Sequence, residues 1–133
     1  MAKKILLIDD EELITRTLAN ALERSGYEVL VAKNGQDALV MAEEENFDLI
    51  ISDIRMPGLS GVDTVRQILQ GIKDRGSERI PAIFVTGYAD EHIEEEASRL
   101  KPHAYILKPF DFPEFIAKVK EDKKTGVLLT DSL

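Results

Sequence analysis

The chain has 133 residues, 44% of them hydrophobic and 32% charged, enough for one domain with a real core and too few for two. Its 17 basic and 25 acidic residues leave a formal charge of −8, and no run of Lys and Arg offsets it, so direct contact with nucleic acid is not expected. Cysteine is absent, which excludes disulfides, thiolate catalysis and cysteine metal sites.

Met1-Ala2-Lys3-Lys4 leads straight into a strand over 5–8, with no secretory segment before it. No apolar run is long enough for a bilayer, so no membrane contact and a cytoplasmic location are expected. A helix over 12–24 follows, with Leu13, Ile14, Leu18, Ala21 and Leu22 on one side. It stops at Ser25-Gly26, where glycine can adopt the left-handed conformation that ends a helix. The strand over 28–32 is less uniformly apolar and reads as peripheral. Asn34 is a candidate N-cap for a helix over 35–45. Residues 49–51 are again continuously apolar. Ser60 opens a helix over 61–74, with Asp63 where a capping-box acid would stand. Val65, Ile68, Leu69 and Ile72 then follow helical spacing.

The fourth strand covers 82–85. The helix over 90–100 is acidic, with Ile93, Ala97 and Leu100 as its apolar residues. Strand 104–107 reads as peripheral. Asp111 precedes a helix over 112–122, with Pro113 in its first turn and Phe112, Phe115, Ile116 and Val119 expected inward. Residues 123–133 break the pattern, so a domain over 1–122 with a C-terminal tail or the start of a linker is expected.

Five strand–helix repeats with short connections imply a parallel sheet with helices on both faces. The continuous apolar runs fit strands covered on both sides. In such sheets ligands bind outside the carboxyl ends of the strands. Those ends carry Asp9 and Asp10, Asp53, Thr86 and Lys108. Three carboxylates, a hydroxyl and an ammonium on one rim suit a divalent cation and a phosphoryl group. Asp9-Asp10-Glu11-Glu12 could also be acids complementing a helix dipole. That reading leaves Asp53 unexplained, and close carboxylates repel unless a hard cation joins them. The metal site is the preferred reading.

Ile8-Asp9-Asp10, Ser52-Asp53-Ile54-Arg55-Met56-Pro57-Gly58, Val85-Thr86-Gly87 and Lys108-Pro109-Phe110 occur in one order and spacing. Together they resemble the receiver domain of two-component response regulators, over about residues 4–121. The resemblance implies a doubly wound, flavodoxin-like α/β fold with strand order 2-1-3-4-5. It implies that Asp53 accepts a phosphoryl group from a histidine kinase or phosphotransfer protein. It also implies Mg²⁺ (or Mn²⁺) held by Asp10, Asp53 and the main-chain carbonyl of Arg55, with Asp9 acting through water. Lys108 would pair with a phosphoryl oxygen, and the Lys108–Pro109 peptide would be cis.

From the residues alone, Thr86 is a β-former and Tyr105 a half-buried strand tyrosine with a wet hydroxyl. The resemblance makes Thr86 the switch hydroxyl and Tyr105 the rotating aromatic. Phosphorylation would then shift the face formed by the fourth helix, fifth strand and fifth helix. Arg55 and Tyr88 would tune the phosphoryl lifetime. Gly58 and Gly61 are expected to give backbone freedom. His92 and His103 are expected at the surface, outside the site. The run Glu94-Glu95-Glu96 reads as a solvated helix face.

The implied function is a phosphorylation-controlled switch that acts chemically only on itself and is not a turnover enzyme. Its output would be a downstream protein or a fused effector domain, and a phosphorylation-dependent homodimer is a further implied partner. Three other readings fit less well. A flavin-phosphate site would be repelled by Asp9-Asp10. A phospho-aspartate phosphatase would carry its nucleophile after the first strand, with a second Asp two residues on. A phosphorylation-independent binding receiver would lack one of the five key residues, and none is missing.

Overall fold

The computed structural model describes residues 2–87 and 90–121. The elements are β1 (Lys4–Ile8), α1 (Glu12–Arg24), β2 (Glu28–Ala32), α2 (Gly35–Glu44), β3 (Leu49–Asp53), α3 (Gly61–Asp74), β4 (Ala82–Thr86), α4 (Glu91–Ser98), β5 (Ala104–Leu107) and α5 (Phe112–Val119). All strand pairs are parallel, and the sheet order is β2-β1-β3-β4-β5, as expected.

Successive side chains of a strand point to opposite faces. The continuous apolar runs therefore build two cores at once. Leu6, Ile8, Ile50 and Phe84 pack on one face with Ala38 and Ala42 of α2, Val65 and Ile68 of α3 and Ala97 of α4. Ile5, Leu7, Ile51 and Ile83 pack on the other with Leu18 and Leu22 of α1 and Phe115 and Val119 of α5. β3 and β4 are buried throughout, whereas β2 and β5 form half-buried edges. Burying one such side chain fully is worth about 1.5–3 kcal/mol.

Side chains cap the starts of α2, α3, α4 and α5, whereas Glu11 before α1 makes no such cap. Asn34 accepts from Asp37 N–H at 2.8 Å, and Ser60 from Asp63 N–H at 3.1 Å. Asp111 accepts from Glu114 N–H at 2.7 Å. Asp63 does not complete a capping box; its carboxylate pairs with Arg66. Gly26 ends α1 with φ +97°, as its position implied.

Several expected boundaries and faces differ. α2 stops at Glu44 because Glu45 is already extended. α4 is shorter than 90–100, because Asp90 is its extended N-cap and Lys101 turns away with φ +51°. α5 ends at Val119 rather than 122. Leu13 is 75% exposed, since it lies off the stripe formed by Leu18 and Leu22. Phe112, in the first turn of α5, is 42% exposed and meets Phe110 edge-on at 6.3 Å. No helix among the described residues is long and apolar enough to cross a membrane. Residues 123–133 lie outside the described part, as does Tyr88.

Candidate functional site

The register brings the site together. Ile8 pairs with Ser52, so the residues that follow, Asp9 and Asp53, leave adjacent strands side by side. One carboxylate oxygen from each of Asp9, Asp10 and Asp53 lies within 4.8 Å of the others. Asp9 and Asp53 are buried and Asp10 is exposed. Backbone amides fix the buried pair. Glu11 N–H donates to Asp9 Oδ1 at 2.9 Å, and Ile54 N–H donates to Asp53 Oδ1 at 2.8 Å.

Lys108 completes the cluster. Its N–H donates to Thr86 O at 2.8 Å, which ties the end of β5 to the end of β4. The Lys108–Pro109 peptide is cis, as the resemblance implied. Lys108 Nζ lies 3.5 Å from Asp53 Oδ2 and 4.0 Å from Asp9 Oδ2. It also lies 3.6 Å from Glu11 Oε1. In the sequence Glu11 reads only as one of the acids that could complement the helix dipole. Inside a run of four acids at a helix start, nothing marked it as facing the lysine.

The electrostatics follow from burial. Burial pushes the Asp9 carboxyl up to about 6; the Glu11 amide opposes this and the Asp53 charge adds to it. Asp53 is also raised by burial, against the pull of Lys108 and the Ile54 amide, with Asp10 adding to the rise. The Lys108 ammonium thus faces three carboxylates, those of Asp9, Glu11 and Asp53. The donor set is all hard oxygen and under-neutralised, which is what a divalent cation of the Mg²⁺ type requires. These residues fit such an ion.

Gly61 shapes the floor of the site. A Cβ there would come within 1.8 Å of Asp53 O, and Gly61 N–H donates to Ile54 O at 2.8 Å. Its φ is not in the left-handed region, so this glycine supplies room and not the backbone freedom expected of it. Gly58, at φ +80°, does supply that freedom. Ile54 and Met56 anchor the loop in the core, and Arg55 between them is exposed.

Thr86 is buried at the end of β4. Tyr105 sits on edge strand β5 opposite Phe84 and packs against the core on that face. Its hydroxyl is buried and, among the described residues, has no hydrogen-bond partner. Burial raises its pKa, and Glu94 of α4 and Asp90 at its N-cap add to the rise. The hydroxyl is therefore not wet. His92 is exposed near Glu96. His103 is not a surface residue: its side chain is only 6% exposed. His103 Nε2 lies 2.9 Å from Lys118 O and 3.3 Å from Glu121 Oε1, so the end of α5 covers it.

Residues 5–120 match the response regulator receiver domain family. The chain belongs to it. This receiver domain is 36% identical over 121 residues to the polar-differentiation response regulator DivK of Brucella anthropi, covering 90% of this chain and 95% of DivK. It is 38% identical over 120 residues to the alkaline phosphatase synthesis transcriptional regulatory protein PhoP of Bacillus subtilis. That match covers 90% of this chain but 48% of PhoP, so the chain spans about half of that relative.

Among solved structures, the response regulator TrrA of Thermotoga maritima in complex with Mg²⁺–BeF has a TM-score of 0.76 and 37% identity. The match covers 89% of this chain and 96% of TrrA. A receiver domain from Methanospirillum hungatei has a TM-score of 0.83 and 30% identity, covering 91% of this chain and 93% of its own. A response regulator from Burkholderia pseudomallei, solved with a phosphorylated aspartic acid and a calcium ion, has a TM-score of 0.76 and 31% identity. That match covers 87% of this chain and 65% of the Burkholderia chain.

Proposed function

We propose that this receiver is a phosphorylation switch in which Asp53 takes a phosphoryl group from a histidine kinase or phosphotransfer protein, with Mg²⁺ (or Mn²⁺) as cofactor. The observation that carries this is Asp53 Oδ2 standing 3.5 Å from Lys108 Nζ within reach of Asp9 and Asp10. Solved relatives that carry Mg²⁺–BeF or a phosphorylated aspartic acid support it.

The two oxygens of Asp53 have different tasks. Oδ1 accepts the Ile54 amide and is held. Oδ2 faces the ammonium and is the attacking atom. Its attack forms an O–P bond as the bond from phosphorus to the donor breaks. Lys108, a point charge on a flexible stem, passes from the carboxylate to a phosphoryl oxygen. When bound, the divalent cation neutralises charge on the transferring group and templates in-line attack. Asp10, Asp53 and the carbonyl of Arg55 would hold it, with Asp9 supporting through water.

The Thr86 hydroxyl then turns to the phosphoryl group, and Tyr105 follows. The outcome is a population shift of α4, β5 and α5 between two existing arrangements, biased by phosphate contacts. Arg55 and Tyr88 set the lifetime of the phosphoryl group. The chain modifies only itself, and it signals through a downstream protein, a fused effector or a phosphorylation-dependent homodimer.

Intact mass after incubation with Mg²⁺ and a small acyl-phosphate donor tests the reading. One phosphoryl adduct is expected, absent in Asp53→Ala and without Mg²⁺. No adduct from either the small donor or a phosphorylated histidine phosphotransfer protein, on folded protein, would reject it in favour of a binding module that needs no phosphate.

A further inference from the structure

The chain carries a formal charge of −8, yet part of its positive charge gathers in one place. Arg66 and Lys73 of α3, Arg79 before β4 and Arg99 after α4 line a groove of about 430 Å³. Leu69 and Leu100 supply apolar lining between them, and among the described residues no acid lines the groove. Helices of a parallel sheet run back from the carboxyl ends of the strands. Apart from Arg66, in the first half of α3, the groove is built on the C-terminal half of α3, the segment after it and the end of α4, and so sits away from the Asp53 rim.

Local structure fixes these cations. Arg66, Leu69 and Lys73 share one face of α3 by helical spacing. Gly76, with φ +74°, turns the chain after α3. Arg79 then donates through Nη2 to the carbonyls of Leu100 and Lys101, at 3.0 Å for the latter. It satisfies carbonyls at the end of α4 that lack helical partners, and so is held in place. Arg66 and Arg99 pair with Asp63 and Glu95 on their own helices, in exposed positions. Such pairs are weak, and a guanidinium keeps further donors for another carboxylate. Among the described residues no carboxylate lies within ion-pair distance of Lys73.

The plainer account is that Lys73 and Arg99 complement the C-terminal ends of their helices. It explains each charge singly. It leaves unexplained why the leucines lie between the cations and why no acid shares the lining.

We propose that this groove binds an acidic segment of a partner protein in which carboxylates alternate with leucine-like side chains. Charge complementarity selects the acids and the leucines select the apolar side chains. A nucleic-acid strand fits less well. It needs cations along its length and bases stacked on aromatic rings, whereas among the described residues no aromatic lines this groove, which lies on an acidic molecule.

The test uses the full, unphosphorylated chain, so that it stands apart from the Asp53 chemistry. A short fluorescein-labelled peptide of alternating glutamate and leucine is titrated and followed by anisotropy. Binding that weakens with salt is expected. Lys73→Glu with Arg99→Glu should lower the affinity about tenfold or more. Lys73→Gln with Arg99→Gln is the milder pair, should the reversal disturb folding, and should weaken binding in the same direction. Arg24→Glu, on α1, should leave the affinity unchanged. Three results would overturn the proposal: no binding, equal loss in Arg24→Glu, or equal binding of the glutamine–leucine peptide. Tighter binding of a single-stranded oligonucleotide of equal charge, lost in the same variants, would replace the peptide with a phosphate ligand.

Discussion

Lys108 Nζ lies 3.6 Å from Glu11 Oε1, nearly as close as it lies to Asp53 Oδ2. The ammonium is thus shared between Asp53, the proposed nucleophile, and an acid to which the proposed transfer gives no role. Glu11 is more than half exposed, so its hold is weak. It still competes with a phosphoryl oxygen for the same cation. Glu11→Gln should therefore speed phosphorylation from a small acyl phosphate by about twofold to fivefold. An intact-mass time course reads this directly. A slower rate would show that Glu11 positions Lys108 and does not divert it.

The raised Asp9 carboxyl makes stability depend on pH in a definite direction. Its value is about 6 in the folded chain against an ordinary 3.8. Between these values the unfolded chain has released the proton and the folded chain has kept it. Stability therefore falls as pH rises through this window, and the whole penalty is present above about 6. Asp53 is raised too and acts in the same direction. Asp9→Asn keeps the acceptor for the Glu11 amide and removes the charge. Near neutral pH in chelator it should gain on the order of 1–3 kcal/mol, and the gain should vanish near pH ~4. Added Mg²⁺ should narrow the gap by stabilising the parent. Urea unfolding at both pH values, with and without Mg²⁺, checks the sign; a gain that grew towards low pH would refute it.

Gly61 and Gly71 make a paired test of close approach. A Cβ at Gly61 meets the backbone carbonyl oxygen of Asp53 at 1.8 Å, and neither strand nor helix can yield easily. At Gly71 it meets only Arg75 Nη1, at 3.5 Å on a flexible side chain. Gly61→Ala should cost about 3 kcal/mol and slow phosphorylation, because it shifts the backbone of Asp53, the proposed phosphoacceptor. Gly71→Ala, inside α3, should gain about 0.5–1 kcal/mol. Thermal unfolding of both variants decides; similar effects from the two would discard the steric account.

The rim was legible because Asp9, Asp53, Thr86 and Lys108 each stand at the end of an apolar run. Alternation of strands and helices gave a parallel sheet, but not its order, since periodicity says nothing about which strands are neighbours. That order rested on resemblance. The errors share one cause: a single segment does not reveal what packs against it. Leu13 and Phe112 fit an apolar pattern, yet Leu13 stays largely exposed and Phe112 is only partly covered, edge-on by Phe110. His103 looked like a surface residue until Lys118 and Glu121, from another element, closed over it. Gly61 looked like a flexible joint, and only the approach of Asp53 O shows that it supplies space.

Tyr105 gives the last prediction. Its hydroxyl is buried, has no partner among the described residues, and is discouraged from ionising by burial and by Glu94 and Asp90. An unpaired buried hydroxyl costs its desolvation and returns nothing. Tyr105→Phe keeps the ring that packs with Phe84 and removes only that cost. The variant should be as stable as the parent or more so, by about 0–1 kcal/mol. If the hydroxyl also serves the switch, the same variant should show a smaller phosphorylation-dependent change in hydrogen exchange across α4, with phosphorylation of Asp53 itself unchanged. A stability loss above ~1 kcal/mol would mean that the hydroxyl makes a hydrogen bond in the resting state. It would then be a fixed strut and not a group held ready to move.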